Sequence, residues 1–209
     1  MNQPAFARLG AACGAAFAII LAVAAGNGSN GFSGPRAVAG LAAITLALPF
    51  VAYLYSVLRT AEGTGGWLAP AALATGIAGI VLKLGSGVPE LAAHQAHLAP
   101  DTQLGAAVHA MGDGATVVSL YPFAVFCAAT AIVAFRTRAL PRWLAAGAAV
   151  TAAALAVNGA FLGAGFVPAL LLFLLWTLVT SVYLLRRTWR KPAPTAPSRP
   201  RAAKAVASA

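Results

Sequence analysis

Six stretches of the chain, residues 9–25, 37–58, 67–88, 115–135, 143–163 and 168–185, are predominantly apolar, and Lys83 is the one charged residue inside them. A helix needs about 20 residues to cross a hydrocarbon core about 30 Å thick. Lipid offers no partner to backbone N–H and C=O groups, so a crossing segment is either a helix or a strand of a closed barrel. These runs are continuous, rich in Ala and Leu, and too long for the short alternating strands of a barrel. The expected fold is therefore an all-α integral membrane protein with six transmembrane helices. Composition agrees: 60% of the 209 residues are hydrophobic and 9% are charged, against about 25% charged in a soluble domain. That excludes a soluble globular enzyme, a disordered chain and a disulfide framework. Cys13 and Cys127 fall inside apolar runs and read as small core residues.

The formal charge of +10 is arranged around the spans rather than in a patch interleaved with aromatics, so nucleic acid is not the expected partner. In a six-span chain, Arg8, Arg59, Arg136, Arg138, Arg142, Arg186, Arg187, Arg190, Lys191, Arg199, Arg201 and Lys204 all fall on one side, and Arg36 alone falls on the other. The positive-inside rule places that basic side, with both termini, in the cytoplasm of a bacterial inner membrane. The expected partners are the bilayer itself and anionic lipid head groups, met by Arg186, Arg187, Arg190 and Lys191. Ala22-Val23-Ala24 resembles a signal-peptidase site, but the leader carries only Arg8, so a retained first span is expected. Cleavage would move no later loop to the other side.

Residues 1–191 read as one membrane domain. Residues 192–209, rich in Pro, Ala and Ser, read as a disordered basic cytoplasmic tail. The second and third spans contain Pro49-Phe50, Arg59-Thr60, Trp67-Leu68-Ala69 and a Gly-rich turn ending at Pro89. The fourth and fifth repeat that order with Pro122-Phe123, Arg136-Thr137, Trp143-Leu144-Ala145 and a turn ending at Pro168. Two parallel helical hairpins of one orientation would follow.

Polar chemistry concentrates in the outer connection, residues 89–114. It holds all three histidines, three of the four acids and no Lys or Arg. If helical, Glu90, His94 and His97 share a face at spacings of 4 and 3, a weak metal-ligand pattern. The helix dipole accounts for Glu90 just after Pro89 without any metal. Asp101 after Pro100 is the expected cap of a second helix carrying His109 and Asp113 on one face, with Asp113 capping the fourth span between Gly112 and Gly114. Lys83 lies five residues before Val88, about 7 Å of rise, near enough to the surface to snorkel or to pair with Glu90 or Asp113. Asn158 sits within the fifth span. Ionisable groups inside spans are costly and mark pathways, so Lys83, Glu90, His109, Asp113 and Asn158 form the candidate outer-half pocket. No cofactor fingerprint is evident.

Asp113 followed by Val118-Ser119-Leu120-Tyr121-Pro122-Phe123-Ala124, then Arg136-Thr137-Arg138-Ala139-Leu140-Pro141-Arg142-Trp143-Leu144, then Leu174-Leu175-Trp176-Thr177-Leu178-Val179-Thr180-Ser181 running to Arg186-Arg187, resembles a group of uncharacterised actinobacterial multi-pass membrane proteins over roughly residues 70–190. The resemblance implies a six-helix fold and no established activity. Gly112 and His109 depart from the Asp/Asn-rich turn usual there. The expected role is binding or passage of a small ligand or proton through the outer-half pocket. The alternatives are a membrane-embedded enzyme acting on a lipid or isoprenoid, with Asp113 or Glu90 as acid and His109 as base, and an accessory or scaffold subunit packed against another membrane protein.

Overall fold

The computed structural model describes residues 3–26, 34–99, 102–162 and 167–189. These residues form α1 (Gln3–Gly26), α2 (Gly34–Glu62), α3 (Leu68–Ser86), α4 (Val88–Gln95), α5 (Gln103–Thr137), α6 (Arg142–Val157), a π-helical turn (Asn158–Leu162) and α7 (Val167–Trp189). Six helices are long and apolar enough to cross a membrane, with the short α4 continuing the third and the π turn continuing the fifth. The tail and Asp101 lie outside the described residues.

The membrane-length helices pack in a closed ring. α1 meets α2, α2 meets α3, α3 meets α5, α5 meets α6, α6 meets α7, and α7 returns to α1. Chain order is thus ring order, as short connections between antiparallel neighbours require. Small residues let the backbones approach. A Cβ on Gly10 would strike Tyr53 and the Pro49 carbonyl, and one on Gly14 would overlap the Phe50 ring and the Ser181 hydroxyl. Gly79 likewise admits the Phe123 ring of α5 against α3. Inside the ring the Phe173 ring stacks against Phe17 at 6.4 Å and Phe123 at 5.0 Å, and Phe126 meets Trp176 edge-on at 6.1 Å. Cys13 and Cys127 are both free thiols.

Most of the described basic residues gather at one end, Arg36 and Lys83 lying towards the other. The Arg8 guanidinium lies over the Trp189 ring at 5.6 Å, and Arg187 donates to the Ala139 carbonyl at 3.1 Å. Arg59 closes the α2–α3 turn by donating to Thr64 and Gly66 carbonyls at 2.8 and 2.6 Å. The Glu62 carboxylate accepts from the Leu68 and Ala69 amides, capping α3. Trp67, Trp143 and Trp189 are exposed at this same end, the position of an interfacial aromatic belt.

Three local expectations change. The helix expected from Asp101 and the fourth span are one element, because α5 runs unbroken from Gln103 through 35 residues. At 1.5 Å per residue it is about 52 Å long, well over the ~30 Å core, so its first turns project beyond the hydrocarbon. Asp113 therefore lies inside a helix and caps nothing. Thr102 caps α5 instead, its hydroxyl accepting from Gly105 N at 3.0 Å.

Candidate functional site

The ring encloses a cavity of about 60 Å³, room for a few water molecules at roughly 10–15 Å³ each. Every membrane-length helix contributes to the wall: Phe17 and Leu21 from α1, Ile44 and Ala47 from α2, Ile80 and Lys83 from α3, Thr116, Ser119, Leu120 and Phe123 from α5, Asn158 from the π turn, and Leu170 and Phe173 from α7. The wall is apolar except for Lys83, Thr116, Ser119 and Asn158.

Lys83 is the chemical centre of this wall. It stands sixteen residues beyond Trp67, about 24 Å along the axis, close to the outer edge of the hydrocarbon. Its Nζ donates to the Thr116 hydroxyl at 2.8 Å. Glu90 and Asp113 supply the negative charge it feels, yet neither carboxylate comes within ion-pair distance of it among the described residues. The ammonium, with three N–H donors, thus has one short hydrogen bond and two distant countercharges. Ser119 spends its proton on the Thr116 carbonyl at 2.6 Å, which leaves its oxygen free to accept. Asn158 is buried in a π turn, a local widening of the helix that occurs often at functional positions.

The structure brings two of the five pocket candidates, Lys83 and Asn158, into one cavity. Glu90 lies against Gly112, where α5 passes so close to the α3–α4 junction that a Cβ would come within 3.3 Å of the Ser86 carbonyl. His109 and Asp113 do share a face of α5, with Nε2 and Oδ2 3.8 Å apart, but their side chains are 62% and 53% exposed. They line the outer surface and not the cavity. The three-residue metal pattern is not assembled. α4 ends at Gln95, and His97 lies beyond it in the left-handed region at φ 51°, off the face that carries Glu90 and His94. Among the described residues no group of three His, Cys, Asp or Glu side chains could hold a metal ion.

Thr116 and Ser119 were not singled out from sequence. Their signal was present: Thr116, Ser119 and Phe123 recur at spacings of 3 and 4, one face of α5. No family model matches this chain, and no curated protein or solved structure is detectably similar to it.

Proposed function

We propose that the protein is a multi-pass protein of a bacterial inner membrane, its basic end and both termini cytoplasmic, that binds a small and largely apolar molecule in the central cavity. The molecule carries one anionic or hydrogen-bond-accepting group, which faces Lys83. The observation that carries this is the Lys83 ammonium at an apolar wall, with Thr116 as its one hydrogen-bond partner among the described residues. Binding sites of this kind are mostly apolar with a few placed polar groups. Kinship with the actinobacterial six-span proteins belongs to the same reading and adds no activity to it.

The test is a thermal-stability titration of the detergent-purified chain with straight-chain carboxylates from acetate to octanoate, beside the corresponding alcohols. A carboxylate of intermediate length raises Tm, Lys83→Met abolishes the rise, and His109→Ala keeps it. If no compound separates wild type from Lys83→Met, the cavity is not the site.

A second reading, passage of the ligand or of a proton, is favoured by one observation. Further along α5 and α7 from the cavity, the buried hydroxyls of Thr130, Thr177, Thr180 and Ser181 have no hydrogen-bond partner among the described residues. Such groups are what a transient water or proton chain requires. A pH-indicator assay in proteoliposomes checks it. Proton flux that drops severalfold in Thr180→Val supports passage, and flux no greater than in empty vesicles refutes it. The enzyme reading rests on Asp113 or Glu90 as acid and His109 as base; His109 and Asp113 are exposed away from the cavity, and Glu90 is not among its lining residues.

A further inference from the structure

A second concavity opens at the opposite, basic end, with a volume of about 580 Å³. Its lining includes Arg138 and Arg187 and the hydroxyl-bearing Tyr53, Ser56, Thr60 and Thr137. The ends of α2, α5 and α7 form it, so it is built by tertiary packing and not by one basic segment. We propose that this cleft binds the phosphate group of an anionic ligand. The inference stands apart from the central cavity and from the basic tail.

Three observations carry it. The first is charge balance. The chain has four acids, and none lines the cleft. Glu62, the one at this end, is engaged by the amides of Leu68 and Ala69. Glu90 and Asp113 act on Lys83 at the far end, and Asp101 lies outside the described residues. Among the described residues no carboxylate balances the two guanidiniums, which leaves them open to an external anion.

The second is preorganisation. Arg187 is held across the bundle by its bond to the Ala139 carbonyl. Its remaining N–H groups, with those of Arg138, form no other hydrogen bond among the described residues. Arginine forks match phosphate oxygens in pairs. The neighbouring Ser56, Thr60 and Thr137 hydroxyls rest on carbonyls of their own helix. These bonds are 2.7, 2.7 and 2.8 Å long, and a hydroxyl can exchange such a bond for one to an oxyanion by rotating about χ1.

The third is the backbone of Arg138. It is the C-cap of α5 at φ 57°, a conformation that glycine adopts at far lower cost. An arginine kept there at a conformational penalty points to a use for its side chain.

A phosphate at this place has two sources, the head group of an anionic lipid at the membrane face or a soluble phosphate ester. The experiment measures Tm of the full detergent-purified chain against inorganic phosphate, short-chain phosphatidylglycerol and short-chain phosphatidylcholine. A rise with phosphatidylglycerol but not phosphate assigns the lipid source. A rise with phosphate, competed by excess phosphatidylglycerol, assigns the soluble one. In either case Arg138→Gly weakens binding about tenfold or more, while Arg138→Lys loses less. Arg138→Gly is the informative variant, because glycine suits that backbone and the chain stays folded. No rise with either anion, an equal rise with phosphatidylcholine, or full binding by Arg138→Gly overturns the proposal.

Discussion

Two groups of hydroxyl side chains in this bundle contrast. Thr45, Thr60, Thr75, Thr137 and Thr151 each donate to a carbonyl four residues back, the usual way a threonine is carried through an apolar helix. Thr130, Thr177, Thr180 and Ser181 are 0% exposed and lack a partner among the described residues. A buried polar group left unsatisfied costs roughly 1–3 kcal/mol. Replacing it by an apolar group of the same shape should recover part of that cost. Thr180→Val is therefore expected to raise stability by about 1 kcal/mol in reversible detergent unfolding, while Thr151→Val, whose hydroxyl is paired, leaves it level or lower. A drop on Thr180→Val would mean that water or a ligand satisfies the hydroxyl in the membrane.

Among the elements, α5 is the mast of the structure. It meets α3 and α6 on either side, and its outer turns stand clear of the hydrocarbon beside α4. Those outer turns depend on Thr102. Thr102→Ala should cost about 0.5–2 kcal/mol, and the loss should be local, with amide exchange rising over residues 103–112 and not in the span below. Exchange rising evenly along α5 would count against a separate outer segment. The glycine contacts allow a second test on α1. Gly14→Ala drives a methyl into Phe50 and Ser181, whereas a Cβ on Gly40 or Gly85 meets nothing within 4 Å. The first should cost at least about 2 kcal/mol by overpacking, and the other two should be neutral or gain up to about 1 kcal/mol in helix propensity. Equal unfolding midpoints for all three would contradict the α1–α2–α7 packing. These elements also mark how much could be read beforehand. The six spans were legible because a bilayer fixes their length and apolarity. The start of α5 was legible to within two residues from Pro100-Asp101-Thr102, but its unbroken passage through Asp113 into the fourth span was not, since Gly112-Asp113-Gly114 looks like a helix boundary and is not one. Lys83 and Asn158 stood out as polar residues inside spans. Thr116 and Ser119 did not, because single hydroxyls are common inside apolar spans and nothing in the sequence pairs Thr116 with Lys83, 33 residues away. The shared face of Glu90, His94 and His97 failed at the helix end, where His97 turns left-handed without the Gly or Asn that usually signals it.

At the scale of the whole molecule, the two ends differ in chemistry as much as a membrane's two faces do. One carries Arg8, Arg59, Arg138 and Arg187, the exposed tryptophans and the arginine-lined cleft. The other carries the histidines, Glu90 and Asp113, with no Lys or Arg from residue 84 to residue 135. A cation on the wrong side of the bilayer is opposed during insertion, and basic residues close to span ends set orientation. The charge asymmetry and the closed ring together require that Thr64, in the α2–α3 turn, and His109, on the projecting α5, lie on opposite sides. In a chain with Cys13 and Cys127 replaced by Ser and Ala, a membrane-impermeant maleimide added to intact cells should label His109→Cys and leave Thr64→Cys unlabelled until the membrane is opened. Labelling of both from outside would break the six-span ring. The reverse pattern would keep the ring but turn it over, placing the arginine cleft outside and Lys83 towards the cytoplasm. The assay thus reads the fold and its orientation separately, and the side from which a ligand reaches Lys83 follows from the second result.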